Sequence, residues 1–108
     1  KIPFDDATFD YIFSSEVLEH VFNIDEIISE LNRVLKVDGQ ILITLPFVWG
    51  EHEQPYDFAR YTSFGLKNIL EKNGFEVIDH IKTTTFIETM TQSFTAYLYN
   101  SFVPKDII

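Results

Sequence analysis

Two short apolar runs, residues 9–14 (FDYIFS) and 40–45 (QILITL), flank a stretch whose apolar residues recur at helical spacing. This alternation constrains the fold more than any other feature. Neither run has helical periodicity, and each is rich in aromatic or β-branched residues, so both read as buried strands. Between them Ile24, Ile27, Ile28, Leu31, Val34 and Leu35 form one helical stripe. Asn23 is placed to cap that helix, with Glu26 as its capping-box partner. Arg33 and Lys36 fall near its end, where cations suit the helix dipole, and Asp38-Gly39 is the expected stop. A strand, a helix and a second strand in this order make a parallel pair with a right-handed crossover.

The pattern continues downstream. Thr62 or Ser63 can cap a helix that turns Leu66, Ile69 and Leu70 inward and ends at Asn73-Gly74. Residues 75–82 (FEVIDHIK) read as a third strand of mixed burial. Ile87, Met90, Phe94, Tyr97 and Leu98 then mark a last helix. The expected fold class is α/β, with a parallel sheet and flanking helices.

Composition removes several classes of function. The chain of 108 residues carries a net charge of -9, which disfavours nucleic-acid backbones and anionic membrane surfaces as partners. It has no cysteine, so disulfides, thiolate metal sites and cysteine nucleophiles are excluded. No apolar run approaches the ~20 residues of a spanning helix. The four glycines are scattered singly, with no phosphate-cradling pattern and no G-x-S-x-G elbow.

In open α/β sheets ligands bind beyond the carboxyl ends of the strands. Two segments lie there: residues 14–20 (SSEVLEH) and 46–61. If the first makes a helical turn, Glu16, Glu19 and His20 share one face. They could then hold a divalent cation, with His52 or Glu53 completing the shell. The plainer reading is a solvated acidic turn with His20 bonded to backbone, and no metal is assigned. His20 also suits a general base, because imidazole titrates near neutral pH. His80 reads as structural. Asp57 and Arg60 can pair with each other and pin their loop, or Tyr56, Arg60 and Tyr61 can wall a substrate pocket. Trp49 can stack on a ligand or cover the core edge.

Residues 9–21 (FDYIFSSEVLEHV) resemble the fourth strand and following turn of class I S-adenosylmethionine-dependent methyltransferases. Residues 31–46 (LNRVLKVDGQILITLP) resemble their next helix and fifth strand, with Arg33-Val34-Leu35-Lys36-Val37-Asp38-Gly39 where the family usually reads R-V-L-K-P-G-G. Residues 55–62 (PYDFARYT), with Gly65-Leu66 and Gly74-Phe75, are similar to a branch met among small-molecule and glycan methyltransferases.

The resemblance implies a partial Rossmann-like methyltransferase fold holding strands four to six. The glycine-rich cofactor loop and the last strand would lie outside the chain. Residues 1–82 would be core and residues 83–108 a helical, lid-like segment. Ser14 and Ser15 would line the methionine side of S-adenosylmethionine, with Leu18 packed nearby. His20 would be catalytic, and His52, Tyr56, Arg60 and Tyr61 would face the acceptor. That acceptor would be an O or N atom of a small molecule or glycan, with no nucleic acid or membrane partner, in the cytoplasm. The segment by itself is not expected to methylate anything. Some small-RNA and ubiquinone-pathway relatives look similar at Glu16-x-x-Glu19-His20 and hold a metal there, yet the same string recurs in relatives without metal. The alternative is a non-catalytic module that dimerises through an exposed sheet edge.

Overall fold

A computed structural model describes residues 1–102. The elements run β1 (Phe9–Ser15), a one-turn 3-10 helix (Leu18–His20), α1 (Ile24–Val34), β2 (Leu35–Thr44), α2 (Ser63–Lys72) and α3 (Phe86–Phe102). They divide into a first unit, Lys1–Phe47 with Glu51–His80, and a second, Val48–Gly50 with the described residues from Ile81 on.

In the first unit β1 and β2 pair in parallel, as the strand-helix-strand pattern requires. Their register runs from Tyr11 opposite Gln40 to Ser15 opposite Thr44. Before that, Phe9 faces Leu35, so the register shifts between Phe9 and Tyr11 and β2 bulges at Lys36 to Gly39. Asp38 sits there with φ 66°. A Cβ on Gly39 would lie 2.8 Å from the Lys36 carbonyl oxygen, so glycine is needed at this point.

This corrects the expected helix end. Helix α1 stops at Val34 rather than at Asp38-Gly39. Helix-terminal carbonyls need donors, and the entry loop supplies them: the Ala7 and Thr8 N–H groups donate to the carbonyls of Arg33 and Val34, both at 2.8 Å. The chain therefore passes straight from helix to strand, and Asp38-Gly39 turns the bulge. The expected capping box is also absent. Asn23 precedes α1 but its side chain makes no capping bond, and its backbone (φ -96°, ψ 73°) is outside the extended range that aims a cap side chain at the first turn.

Helix α2 starts as expected, with Thr62 Oγ1 accepting from the Gly65 N–H at 3.0 Å. It ends in two nested bonds, Gly74 N–H to Glu71 O and Phe75 N–H to Leu70 O, with Gly74 at φ 92°. The core lies where Leu18, Ile28 and Leu70 meet, with Ile43, Leu66 and Ile69 packed around them.

The third strand is corrected. Residues 75–82 join no sheet, and the sheet among the described residues has two strands rather than three. The alternation is real, since Phe75 and Val77 pack on the core while Glu76 and Ile78 are exposed. A ladder also needs backbone pairing with another strand, and the segment makes none with β1 or β2. One sheet face is open: Tyr11 and Phe13 are 76% and 68% exposed, and Leu42 beside Phe13 is 62% exposed.

In the second unit α3 follows Thr85, whose Oγ1 accepts from the Glu88 N–H at 3.2 Å while Glu88 Oε2 accepts from the Thr85 N–H at 2.8 Å. This reciprocal pair is a capping box that periodicity alone does not reveal. The expected lid-like segment extends to residue 108, and residues 103–108 lie outside the described residues. Among the described residues no helix is long and apolar enough to cross a membrane.

Candidate functional site

The site grows from the end of β1. Glu16 adopts a left-handed backbone (φ 54°), and its N–H donates to Thr44 O at 3.0 Å. The chain bends there and enters the 3-10 turn. Leu18 goes into the core at 1% exposure, and the neighbouring Glu19 side chain is fully buried. The predicted face of Glu16, Glu19 and His20 does not form, because the i, i+3, i+4 rule needs an α-helical turn beginning at Glu16. Glu16 is instead exposed, with its carboxylate 3.4 Å from Thr44 Oγ1.

Glu19, His20 and His52 are brought together instead. One ligand atom from each lies within 4.8 Å of the others. His20 Nε2 is 3.4 Å from Glu19 Oε1 and 3.6 Å from Glu53 Oε2. His52 Nε2 is 3.8 Å from Glu19 Oε1. The Nδ1 of His20 meets the Tyr56 carbonyl, which can only accept, so this nitrogen carries the proton.

The loop that delivers His52 is fastened at several points. The Phe58 and Ala59 N–H groups donate to the Glu19 carbonyl at 2.8 and 3.3 Å. The Phe58 ring stands edge-on to Phe22, with centroids 5.4 Å apart. Asp57 accepts a two-pronged contact from Arg60 at 2.7 and 3.0 Å, so the pairing reading of these residues holds. Asp57 also accepts from the His52 N–H at 2.9 Å and lies 3.3 Å from His52 Nδ1. The Arg60 guanidinium, helped by that N–H, holds the Asp57 carboxyl well below the usual carboxylate range. Asp57 in turn raises Arg60 above its ordinary value.

The other expected positions divide. Ser14 is half-buried and Ser15 exposed at the carboxyl end of β1, where Ser15 Oγ accepts from Thr44 Oγ1 at 3.0 Å. Leu18 is a core residue and lines no open surface. Tyr56 contributes its carbonyl to His20 while its ring is 65% exposed. The Tyr61 hydroxyl is pushed up by burial and then by the charge of Asp25, on the α1 side of the unit. His80 is exposed, its N–H held by Asp79. Sequence reading missed that Asp57 orients His52 as well as pairing with Arg60. The loop has no period from which that contact could be inferred.

A family model described as a methyltransferase domain matches residues 1–43. The chain is 30% identical over 95 residues to phosphoethanolamine N-methyltransferase 2 of Caenorhabditis elegans, an alignment covering 85% of this chain and 20% of that protein. It is 37% identical over 82 residues to a sterol 4-C-methyltransferase of the same organism, covering 76% and 20%. It is 31% identical over 85 residues to a Mycolicibacterium smegmatis protein named as a probable S-adenosylmethionine-dependent methyltransferase, covering 73% and 33%. The chain thus spans between a fifth and a third of the length of these relatives. It is similar over residues 1–43 to a methyltransferase domain, and over most of its length to segments of proteins named as methyltransferases.

Proposed function

We propose that the protein carrying this chain transfers a methyl group from S-adenosylmethionine to an oxygen or nitrogen of a small-molecule or glycan-type acceptor. One observation carries the reading of the site. His20 is anchored through Nδ1 on the Tyr56 carbonyl, beside the buried Glu19, beyond the carboxyl end of β1. Relatives named for phosphoethanolamine and sterol substrates support the small-molecule class.

The cofactor supplies a methyl group on a sulfonium, already a good leaving group. Most of the protein's contribution is then alignment of the two substrates. Small hydroxyl side chains at Ser14 and Ser15 suit the polar amino-acid end of the cofactor. Leu18 supports that turn from the core, as a positioning residue. The carboxyl end of β2 leads into the loop that carries His52, Tyr56, Arg60 and Tyr61 toward the acceptor. With a hydroxyl acceptor, bound S-adenosylmethionine would supply the methyl group and leave as the neutral thioether, and His20 Nε2 would take the hydroxyl proton. The Glu19 carboxylate stabilises the imidazolium that results.

In this reading β1 and β2 are the fourth and fifth strands of the domain, and this segment forms its C-terminal half. No glycine-rich pattern lies within the chain, so the nucleoside contacts are assigned to other parts of the domain. A cytoplasmic setting belongs to the same proposal. The test is transfer of labelled methyl from S-adenosylmethionine to panels of alcohols, amines and glycans. Label on at least one acceptor supports the reading. A folded protein that binds S-adenosylmethionine but transfers to none of them contradicts it.

A second reading is favoured by the open sheet face of Tyr11, Phe13 and Leu42. Exposed apolar surface beside an unpaired edge recruits other chains, so a non-catalytic module that self-associates is the alternative. Sedimentation tests it, and a clean monomer counts against it.

A further inference from the structure

We propose that α3 is a dimerisation surface, against which the α3 of a second copy of this chain packs antiparallel. A surface helix ordinarily turns its apolar face to its own core. In α3 this relation is reversed. Its half-buried residues are the small Thr89, Ser93 and Ala96. Its large apolar residues meet solvent instead. Phe86, Ile87, Phe94 and Tyr97 are 77%, 75%, 62% and 63% exposed, and Met90 and Leu98 are 38% and 37% exposed. These six recur at helical spacing, so they form one continuous face.

The face matches itself. Its residues pair off at equal distances from position 92: Phe86 with Leu98, Ile87 with Tyr97, and Met90 with Phe94. A two-fold axis beside that position sets an aromatic ring against an aliphatic or thioether side chain in every pair. Such self-matching is what an interface between two identical patches requires, and thioether–ring contacts are favourable in their own right.

The area is sufficient. An aromatic side chain carries roughly 150–250 Å², so the observed exposures leave roughly 700 Å² of this face open per copy. Closing two such faces on each other removes about 1,400 Å², within the range of specific protein interfaces.

Charge favours a second copy over a lipid surface. Residues 86–102 carry a single charge, Glu88, on the opposite side of the helix. Antiparallel packing sets the two Glu88 side chains about 12 Å apart along the axis and opposes the two helix dipoles. Helices that lie on membranes carry Lys and Arg on their polar face. Helix α3 has neither, and the chain carries a net charge of -9.

This surface is separate from the sheet face of Tyr11, Phe13 and Leu42. It uses no residue assigned to methyl transfer and does not depend on that reaction.

Sedimentation of the protein carrying this chain over a range of concentrations tests the proposal. The expected result is a monomer–dimer equilibrium. Phe94→Glu and Ile87→Glu should each weaken the dimer at least about tenfold, with circular dichroism unchanged because both side chains are exposed. Phe13→Glu, on the sheet face, should leave the dimer intact. Amide exchange needs no substitution: within residues 86–98 it should slow as the protein is concentrated. A parent that stays monomeric at its highest soluble concentration overturns the proposal. So does a dimer that both α3 variants leave intact, or one whose α3 amides exchange at a rate independent of concentration. Loss of the dimer in Phe13→Glu alone would move the interface to the sheet face. Binding of a monomer to neutral phosphatidylcholine vesicles would assign the face to lipid, and either result overturns the proposal.

Discussion

The imidazole of His20 stands edge-on to that of His52, with ring centroids 4.7 Å apart and planes at 88°. Each ring is held through its Nδ1 side, and both Nε2 atoms approach the same Glu19 oxygen. If His20 is the base, His20→Ala lowers methyl transfer to a hydroxyl acceptor by about 100- to 10,000-fold. Binding of S-adenosylhomocysteine stays within a factor of two or so, since the base contacts the acceptor. Steady-state rates and calorimetry measure the two quantities. Unchanged turnover excludes the base role.

Asp57 is the anchor of the loop that presents His52. Removing its carboxylate frees the Arg60 contacts and the His52 N–H together. Asp57→Ala is expected to speed proteolytic cleavage within residues 47–61 several-fold while far-ultraviolet circular dichroism is unchanged, because no helix or strand depends on it. Cleavage at the parent rate would show that the loop is held by its other contacts.

Much of this arrangement is legible in the sequence where local chemistry decides it. The β1 and β2 runs, the Thr62 cap and the Asn73-Gly74 stop are all short-range signals, and each corresponds to the observed element. The misses come from long-range partners. Asp38-Gly39 looks like a helix stop, but the Ala7 and Thr8 N–H groups end α1 four residues earlier, so the dipeptide turns a bulge. Residues 75–82 carry strand alternation but pair with neither β1 nor β2. At the site, His20 and Glu19 are recognisable by type. The exclusion of Glu16 depends on its left-handed backbone, which sequence spacing does not encode.

Three substitutions test the packing that holds the site. Ile28 has no exposed surface, so Ile28→Ala should cost about 2–5 kcal/mol through lost burial and the cavity left behind. Thr62→Ala removes the α2 cap, at a cost of about 1 kcal/mol. Gly74→Ala forces a side chain into φ 92° and places its Cβ 2.7 Å from Asn32 Nδ2, so a loss of at least about 1–2 kcal/mol is expected. Urea denaturation reads all three. A neutral Gly74→Ala would contradict the left-handed helix end.

Acid should loosen the contact between the entry loop and α1. Arg33 grips the Glu30 carboxylate at 2.6 and 3.2 Å, and that contact holds Glu30 below its ordinary 4.5. Lys72 likewise lowers Asp25, with Asn73 assisting. Groups lowered in the folded state stabilise it above their unfolded values, and the benefit is lost as pH falls through the folded ones. Stability from these pairs should be flat down to about pH 5 and decline below about 4.5. Glu30→Gln should show a shallower acid decline in thermal midpoint. An identical slope would show that Glu30 titrates alike in both states.

The central claim is that this chain belongs to a working methyltransferase, and cofactor binding tests it most directly. Titration of the folded protein carrying this chain with S-adenosylhomocysteine is predicted to give saturable binding of one equivalent. A folded protein that gives no binding would contradict the account.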